Sequence, residues 1–132
     1  ANINRTKEGL RVCEEITRFI LNNRNLTSEF KKIRHMVDII PGKLFSKISL
    51  IEERKSLTDI GKGIFVFELK RKNYQDIFFA NMQRVKESVR VLEEFSKLKN
   101  INIAVEFKKI RYNLYELEKK VTKKILSLRH YR

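Results

Sequence analysis

Arginine, glutamate and asparagine recur at matched positions in this chain, and together they form a kit for gripping anions. Of the fifteen positions from Ala1 to Glu15, nine reappear unchanged 79 residues later, among them Asn2/Asn81, Arg5/Arg84, Glu8/Glu87, Arg11/Arg90 and Glu14/Glu93. A second block, Glu29-Phe30-Lys31-Lys32-Ile33-Arg34, returns intact as Glu106-Phe107-Lys108-Lys109-Ile110-Arg111. Core packing preserves apolar character, and solvated ion pairs tolerate Lys for Arg or Asp for Glu. Retention of the same polar types therefore asks one chemistry of both halves. A guanidinium fork holds phosphate or carboxylate oxygens at two points. Arg5 and Arg84 are the clearest candidates for that role. Arg34 and Arg111 also have a structural use, pairing with Glu8 or Glu15 across a helical hairpin.

The middle of the chain breaks the repeat, as an asymmetric reaction requires. Arg54-Lys55-Ser56-Leu57-Thr58-Asp59-Ile60-Gly61-Lys62-Gly63 reads as a loop. Asp59 with Gly61 can hold a metal or orient a phosphate through backbone N–H groups, and Lys62 is a movable positive charge. Gly61-Lys62-Gly63 matches neither the Walker pattern nor a dinucleotide fingerprint. The sequence lacks a metal-ligand cluster, a nucleophilic triad and a paired-histidine spacing. Cys13 is alone, which excludes an internal disulfide and a Cys-based zinc site. The remaining chemistry is binding or transfer of phosphate groups, where positioning and charge neutralisation do most of the work.

Helices must carry these residues. The apolar spacing predicts helix 1 from about Asn2 to Asn22, burying Leu10, Cys13, Ile16, Phe19 and Ile20. Helix 2 is expected from Leu26 or Thr27 to about Ile40, stopped by Pro41-Gly42. Helix 3 is expected from about Asn73 to Leu98 with Ile77, Phe78, Val85, Val89, Leu92 and Phe95 inward. Helix 4 follows from about Asn102 to Leu126, with Val105, Ile110, Leu114, Leu117, Val121 and Ile125 inward. Gly9 and Ser88, at equivalent points, allow a close backbone approach. The fold expected is all-α: two duplicated helical hairpins related by a pseudo-two-fold, forming a long-helix bundle with an irregular central insertion. The chain of 132 residues is read as one domain, with halves at 1–42 and 73–132 and the insertion at 43–72. Within the insertion, residues 44–51 could form a short helix, and Ile64-Phe65-Val66-Phe67 is strand-like.

Charge narrows the partners. Residues 1–79 carry 16 basic and 10 acidic side chains, and residues 80–132 carry 14 and 6, so excesses of +6 and +8 give the net +14. A uniform basic excess suits nucleic acid, nucleotides or phosphorylated metabolites. No stretch is apolar for long enough to span a bilayer, and a soluble cytoplasmic protein is the expectation. Two other functional classes stand beside phosphate transfer: a basic helical nucleic-acid-binding protein without catalytic activity, and a structural or regulatory module. An apolar edge at Tyr115 or Leu126 would suit a homodimer.

The ordered set Ala1-Asn2-Ile3-Asn4-Arg5-x-x-Glu8-Gly9-Leu10-Arg11-Val12-x-Glu14, Arg54…Asp59-x-Gly61, Glu68-x-x-Arg71, Ala80-Asn81-x-x-Arg84-x-x-Glu87-x-x-Arg90-Val91-Leu92-Glu93-Glu94 and Lys109-x-Arg111-Tyr112 resembles one family across essentially the whole chain. It is the small all-helical domain often fused to thiamine-phosphate synthase and described as a hydroxymethylpyrimidine-phosphate kinase. The resemblance implies transfer of a phosphoryl group from ATP to hydroxymethylpyrimidine phosphate, with Mg²⁺ and with fusion to or association with the synthase. For that reaction, residue chemistry assigns Arg5, Arg11, Arg84, Arg90 and Arg111 to phosphate neutralisation, with Arg54 and Lys62 closing over the substrate and Gly61 among the residues that bind it. Asp59, Glu8 and Glu87 become the Mg²⁺ candidates, and Asn2 and Asn81 hydrogen-bond the pyrimidine or a phosphate. The family loop usually reads Arg-Asp-Thr…Asp-x-Gly-Thr. Here lysine stands for the first Asp (Lys55) and for the final Thr (Lys62), which leaves Asp59 as the remaining metal candidate of that motif.

Overall fold

A computed structural model describes residues 1–42 and 73–129. They form four α-helices, α1 (Asn2–Glu15), α2 (Arg24–Gly42), α3 (Tyr74–Ser96) and α4 (Ile101–Arg129), with a π-helical segment, Ile16–Ile20, closing α1. The fold is all-α, as the periodicity predicted. The expected helix at 44–51, the glycine loop and the strand-like run at 64–67 lie outside the described residues.

Asparagine starts three of the helices. Asn73 Oδ1 accepts from Asp76 N at 2.9 Å, Asn23 Oδ1 from Leu26 N at 3.0 Å, and Asn100 Oδ1 from Asn102 N at 2.9 Å. Each bond satisfies a donor that the helix leaves without an internal partner. Asn23 and Asn100 occupy matching places in the repeat, so the cap is duplicated along with the helix. Helix α2 differs from expectation at both ends, opening at Arg24 and continuing through Pro41 to Gly42. A proline in a final turn forfeits one backbone bond rather than breaking a helix interior.

The end of α1 also departs from simple periodicity. Leu21 N bonds Ile16 O at 3.0 Å and Asn23 N bonds Thr17 O at 2.9 Å, wider spans than an α-helix makes. The widened turn re-aims the side chains around it. Leu21 enters the core at 6 % exposure, while Phe19 and Ile20, expected inside, stand 71 % and 51 % exposed. Asn22 then reverses the chain with φ of 51°, a left-handed conformation that asparagine tolerates. Phe95 and Val105, also expected inside, are exposed; Phe107 and Ile103 fill the core instead.

Helices α1 and α3 pack tightly and antiparallel. Thr6 Oγ1 meets Ser88 Oγ at 2.6 Å, and a Cβ on Gly9 would fall 2.5 Å from Val85 Cγ2 and 3.3 Å from the Asn81 carbonyl oxygen. These two contacts are one contact seen twice, because Gly9 corresponds to Ser88 and Thr6 to Val85. Further along, Phe78 covers Cys13 and meets Phe30 edge-on at 6.3 Å. Burial pushes the Cys13 thiol far above its ordinary range, so it stays protonated and acts as core filler.

Each hairpin is bolted by a buried ion pair. Glu14, fully buried, accepts from Arg34 Nε at 3.0 Å and Nη2 at 3.4 Å; Glu93, 3 % exposed, accepts from Arg111 Nε at 2.9 Å and Nη2 at 3.4 Å. The partners of Arg34 and Arg111 are thus Glu14 and Glu93, not Glu8 or Glu15. Arg18 adds one nitrogen to Glu14 and gives its other to Glu15, and Arg90 divides in the same way between Glu93 and Glu94.

Gly9→Ala should lower unfolding stability by about 1–3 kcal/mol, because the new methyl must displace a β-branched side chain in a closed seam. Adding Val85→Ala should return part of that loss. Urea unfolding of the two variants tests this, and an unchanged midpoint for Gly9→Ala would refute the close approach.

Candidate functional site

The duplicated contacts locate a pseudo-two-fold axis. Thr6 is level with Ser88 and Gly9 with Val85, so the axis passes between residues 7 and 8 of α1 and between residues 86 and 87 of α3. Rotation about an axis normal to an antiparallel pair returns each side chain to the same face of the pair. Helices α2 and α4 both occupy one face: Lys7 pairs with Asp38 and Glu14 with Arg34 of α2, while Lys86 pairs with Glu118 and Glu93 with Arg111 of α4. At 3.6 residues per turn, the opposite face receives Arg5, Glu8, Val12 and Glu15 from α1 and Arg84, Glu87, Val91 and Glu94 from α3.

Arg5 and Arg84 therefore share a face, each about 4 Å along its helix from the axis at 1.5 Å per residue. Both are half-buried. Among the described residues the Arg5 guanidinium has no hydrogen-bond or ion-pair partner. Glu8 and Glu87 sit almost level with the axis on the same face and are exposed; Glu87 accepts from Gln83 Nε2 at 2.9 Å. The hydrogen bond from Lys97 holds the Glu94 carboxyl below the usual carboxylate range. Along α1 from Glu8 onward lies an open apolar hollow of about 590 Å³, lined by Val12, Ile16, Phe19 and Ile20, with Glu8, Arg11 and Glu15 at its edge. The π turn that displaced Phe19 and Ile20 is what supplies half of this apolar lining.

Other candidates fall elsewhere. Arg111 lies in the layer of α2 and α4, 12 % exposed, with its fork spent on Glu93 and its guanidinium 5.2 Å from the Tyr112 ring centre. The Glu93 hydrogen bond raises its already high pKa. Arg111 is a bolt, matched by Arg34, and not a neighbour of Arg84. Arg11 and Arg90 point along the outer edges, paired with Glu15 at 3.2 Å and with Glu93 and Glu94 at 3.4 and 3.1 Å. Asn81 is 5 % exposed in the α1·α3 seam and donates Nδ2 to Ile77 O at 2.8 Å; Asn2, its counterpart, is half-buried. Arg54, Asp59, Gly61 and Lys62 lie outside the described residues. Glu14 and Glu93, absent from the sequence-derived site, proved to orient both hairpins. Their repetition together with Arg34 and Arg111 was the available signal.

Among the described residues, no three His, Cys, Asp or Glu side chains gather into a cage for a metal ion. Glu8 and Glu87 are the acidic residues that lie almost level with the axis on this face. No helix among the described residues is long and apolar enough to cross a membrane.

Comparison with known proteins agrees with an extended likeness. The ThiD2 family matches residues 1–120. A thiamine-phosphate synthase of Synechocystis sp. is 37 % identical over 119 residues, covering 89 % of this chain and 33 % of that protein. One from Nostoc punctiforme is 39 % identical over 119 residues, covering 89 % and 32 %. One from Rhodopirellula baltica is 33 % identical over 129 residues, covering 97 % and 34 %. The chain thus spans about a third of the length of the curated relatives it matches. No solved structure matches.

Removing Arg111 strands a buried carboxylate, so Arg111→Ala should cost about 3–5 kcal/mol of stability. Arg5→Ala, which leaves no buried partner behind, should stay within about 0.5 kcal/mol of the parent. Denaturant midpoints compare the two, and equal losses would contradict the division between an arginine that bolts a hairpin and one that holds no buried partner.

Proposed function

The chain belongs to the ThiD2 family, and from that premise we propose that it serves thiamine biosynthesis as an ATP-dependent hydroxymethylpyrimidine-phosphate kinase. The observation that carries the reading is the placement of Arg5 and Arg84 on one face, straddling the pseudo-two-fold axis. Two arginines so disposed can each take one of two anionic groups, the acceptor phosphate and the phosphoryl group in transit.

The acceptor makes few demands for base catalysis. A phosphate monoester has a second pKa near 6, so at neutral pH its dianion already carries a nucleophilic oxygen. That oxygen forms a bond to the γ-phosphorus as the bond to the β,γ-bridging oxygen breaks, and ADP departs with the electron pair. Charge neutralisation and alignment then dominate the barrier. Arg5 and Arg84 supply fixed positive charge, and the apolar wall of Val12, Ile16 and Phe19 offers a surface for the pyrimidine ring. Glu8 and Glu87, with Asp59, are the residues that would hold Mg²⁺, which when bound neutralises phosphate oxygens. Asn2 and Asn81 are the proposed hydrogen-bonding groups for substrate. Arg54, Gly61 and Lys62 complete the proposal from sequence. The chain is proposed to act joined to, or in association with, a thiamine-phosphate synthase, in keeping with the length of its relatives.

With ATP, Mg²⁺ and the monophosphate, purified protein should form the diphosphate, followed by phosphorus NMR and ADP release. Arg84→Ala and Asp59→Asn should each cut the rate at least about tenfold, a barrier change of about 1.4 kcal/mol, with far-UV circular dichroism unchanged. Absence of diphosphate from the parent chain, or a parental rate in Arg84→Ala, would overturn the reading.

A further inference from the structure

The proposed reaction makes no use of the layer where α2 and α4 meet. There an open groove of about 720 Å³ lies between the first turns of α2 and the last turns of α4. Lys32 enters it from α2, and Lys120, Lys123 and Lys124 enter from α4. Lys120 is paired with Glu29 at 2.8 Å. Among the described residues Lys32, Lys123 and Lys124 meet no carboxylate, which leaves three positive charges in surplus.

The arrangement has an energetic cost that a ligand would remove. Lys120, Lys123 and Lys124 stand three and four residues apart, on one face of α4, where like charges repel. Lys32 brings a fourth ammonium from the neighbouring helix. Between the lysines, Asn25 and Ser28 offer amide and hydroxyl groups, the donors that phosphate oxygens accept from, while Ser127 donates its hydroxyl to Lys124 O at 2.9 Å. None of the described residues lining the groove is aromatic, so a nucleobase would find no ring to stack on. The recognisable part of a ligand is therefore its charge.

We infer that this groove is a second anion site, taking an oligophosphate group through Lys32, Lys120, Lys123 and Lys124, in the layer opposite the face of Arg5 and Arg84. It is independent of the kinase reading, since it requires neither Arg84 nor Asp59. A free oligophosphate and the phosphate tail of a nucleotide share the chemistry, and separate titrations distinguish them.

The test titrates sodium tripolyphosphate, and separately ATP, into the isotopically labelled 132-residue chain at an ionic strength of about 0.15 M, following backbone amides by NMR. Saturable shifts are expected in residues 23–32 and 120–127 with tripolyphosphate. The same shifts with ATP identify a nucleotide tail, whereas silence with ATP identifies free oligophosphate; both uphold the site. Combined Lys32→Gln, Lys123→Gln and Lys124→Gln should weaken tripolyphosphate binding by about tenfold or more, because fewer cations neutralise the chain of phosphates. Lys123→Gln alone should give a smaller loss in the same direction, and Arg5→Ala should leave the groove shifts in place. Shifts confined to the surroundings of Arg5 and Arg84, or undiminished affinity in the lysine variants, would overturn the inference. So would single-stranded RNA binding the groove more tightly than tripolyphosphate, which would assign it to a nucleic-acid backbone.

Discussion

The seam between α1 and α3 governs everything else in this molecule. Gly9 lets the two helices lie this close, because it carries no side chain where Val85 presents a branched one. On the other side of the axis the same pair of positions is filled by Thr6 and Ser88, which exchange a hydrogen bond instead. A glycine contact and a hydroxyl contact thus solve one geometric problem in two ways. The antiparallel seam then makes duplication consequential. Equivalent residues return on the same face, and a single arginine position becomes a pair.

The buried Glu14–Arg34 and Glu93–Arg111 pairs hold the second layer in register with the first. Such pairs are weak evidence of net stability, since desolvation of both charges offsets much of their attraction. Their contribution is directional. A forked guanidinium accepts few alternative placements of its carboxylate, so each pair sets how α2 or α4 rotates against its hairpin partner. That rotation keeps both covering helices on one side and leaves Arg5 and Arg84 on the other. The division of labour separates arginines that look alike in sequence: Arg34 and Arg111 serve the hairpins, Arg11 and Arg90 serve the outer edges, and Arg5 and Arg84 face a common surface.

Much of this was legible in the amino-acid order. The repeat announced two equivalent hairpins, apolar spacing located four helices, and Gly9 marked a close approach. The pairing of Arg34 and Arg111 was legible only in kind. Glu14 and Glu15 are adjacent in the chain, yet they diverge by about 100° around the helix, and only Glu14 reaches the hairpin interior. The π turn was invisible, because Ile16, Phe19 and Ile20 continue an ordinary apolar period into a segment whose backbone no longer follows it. The consequence reaches the site itself, since the residues turned outward line the hollow beside Glu8 and Glu15.

The proposed grip of Arg5 and Arg84 on a ligand with two anionic groups, one for each arginine, is open to a direct energetic measurement. Calorimetric titration of pyrophosphate into the parent chain, Arg5→Ala, Arg84→Ala and the double variant closes a double-mutant cycle. A ligand gripped by both arginines makes the two losses non-additive, with a coupling of about 0.5 kcal/mol or more. Strictly additive losses, or single variants that bind pyrophosphate as the parent does, would mean that the two guanidinium groups do not share a ligand.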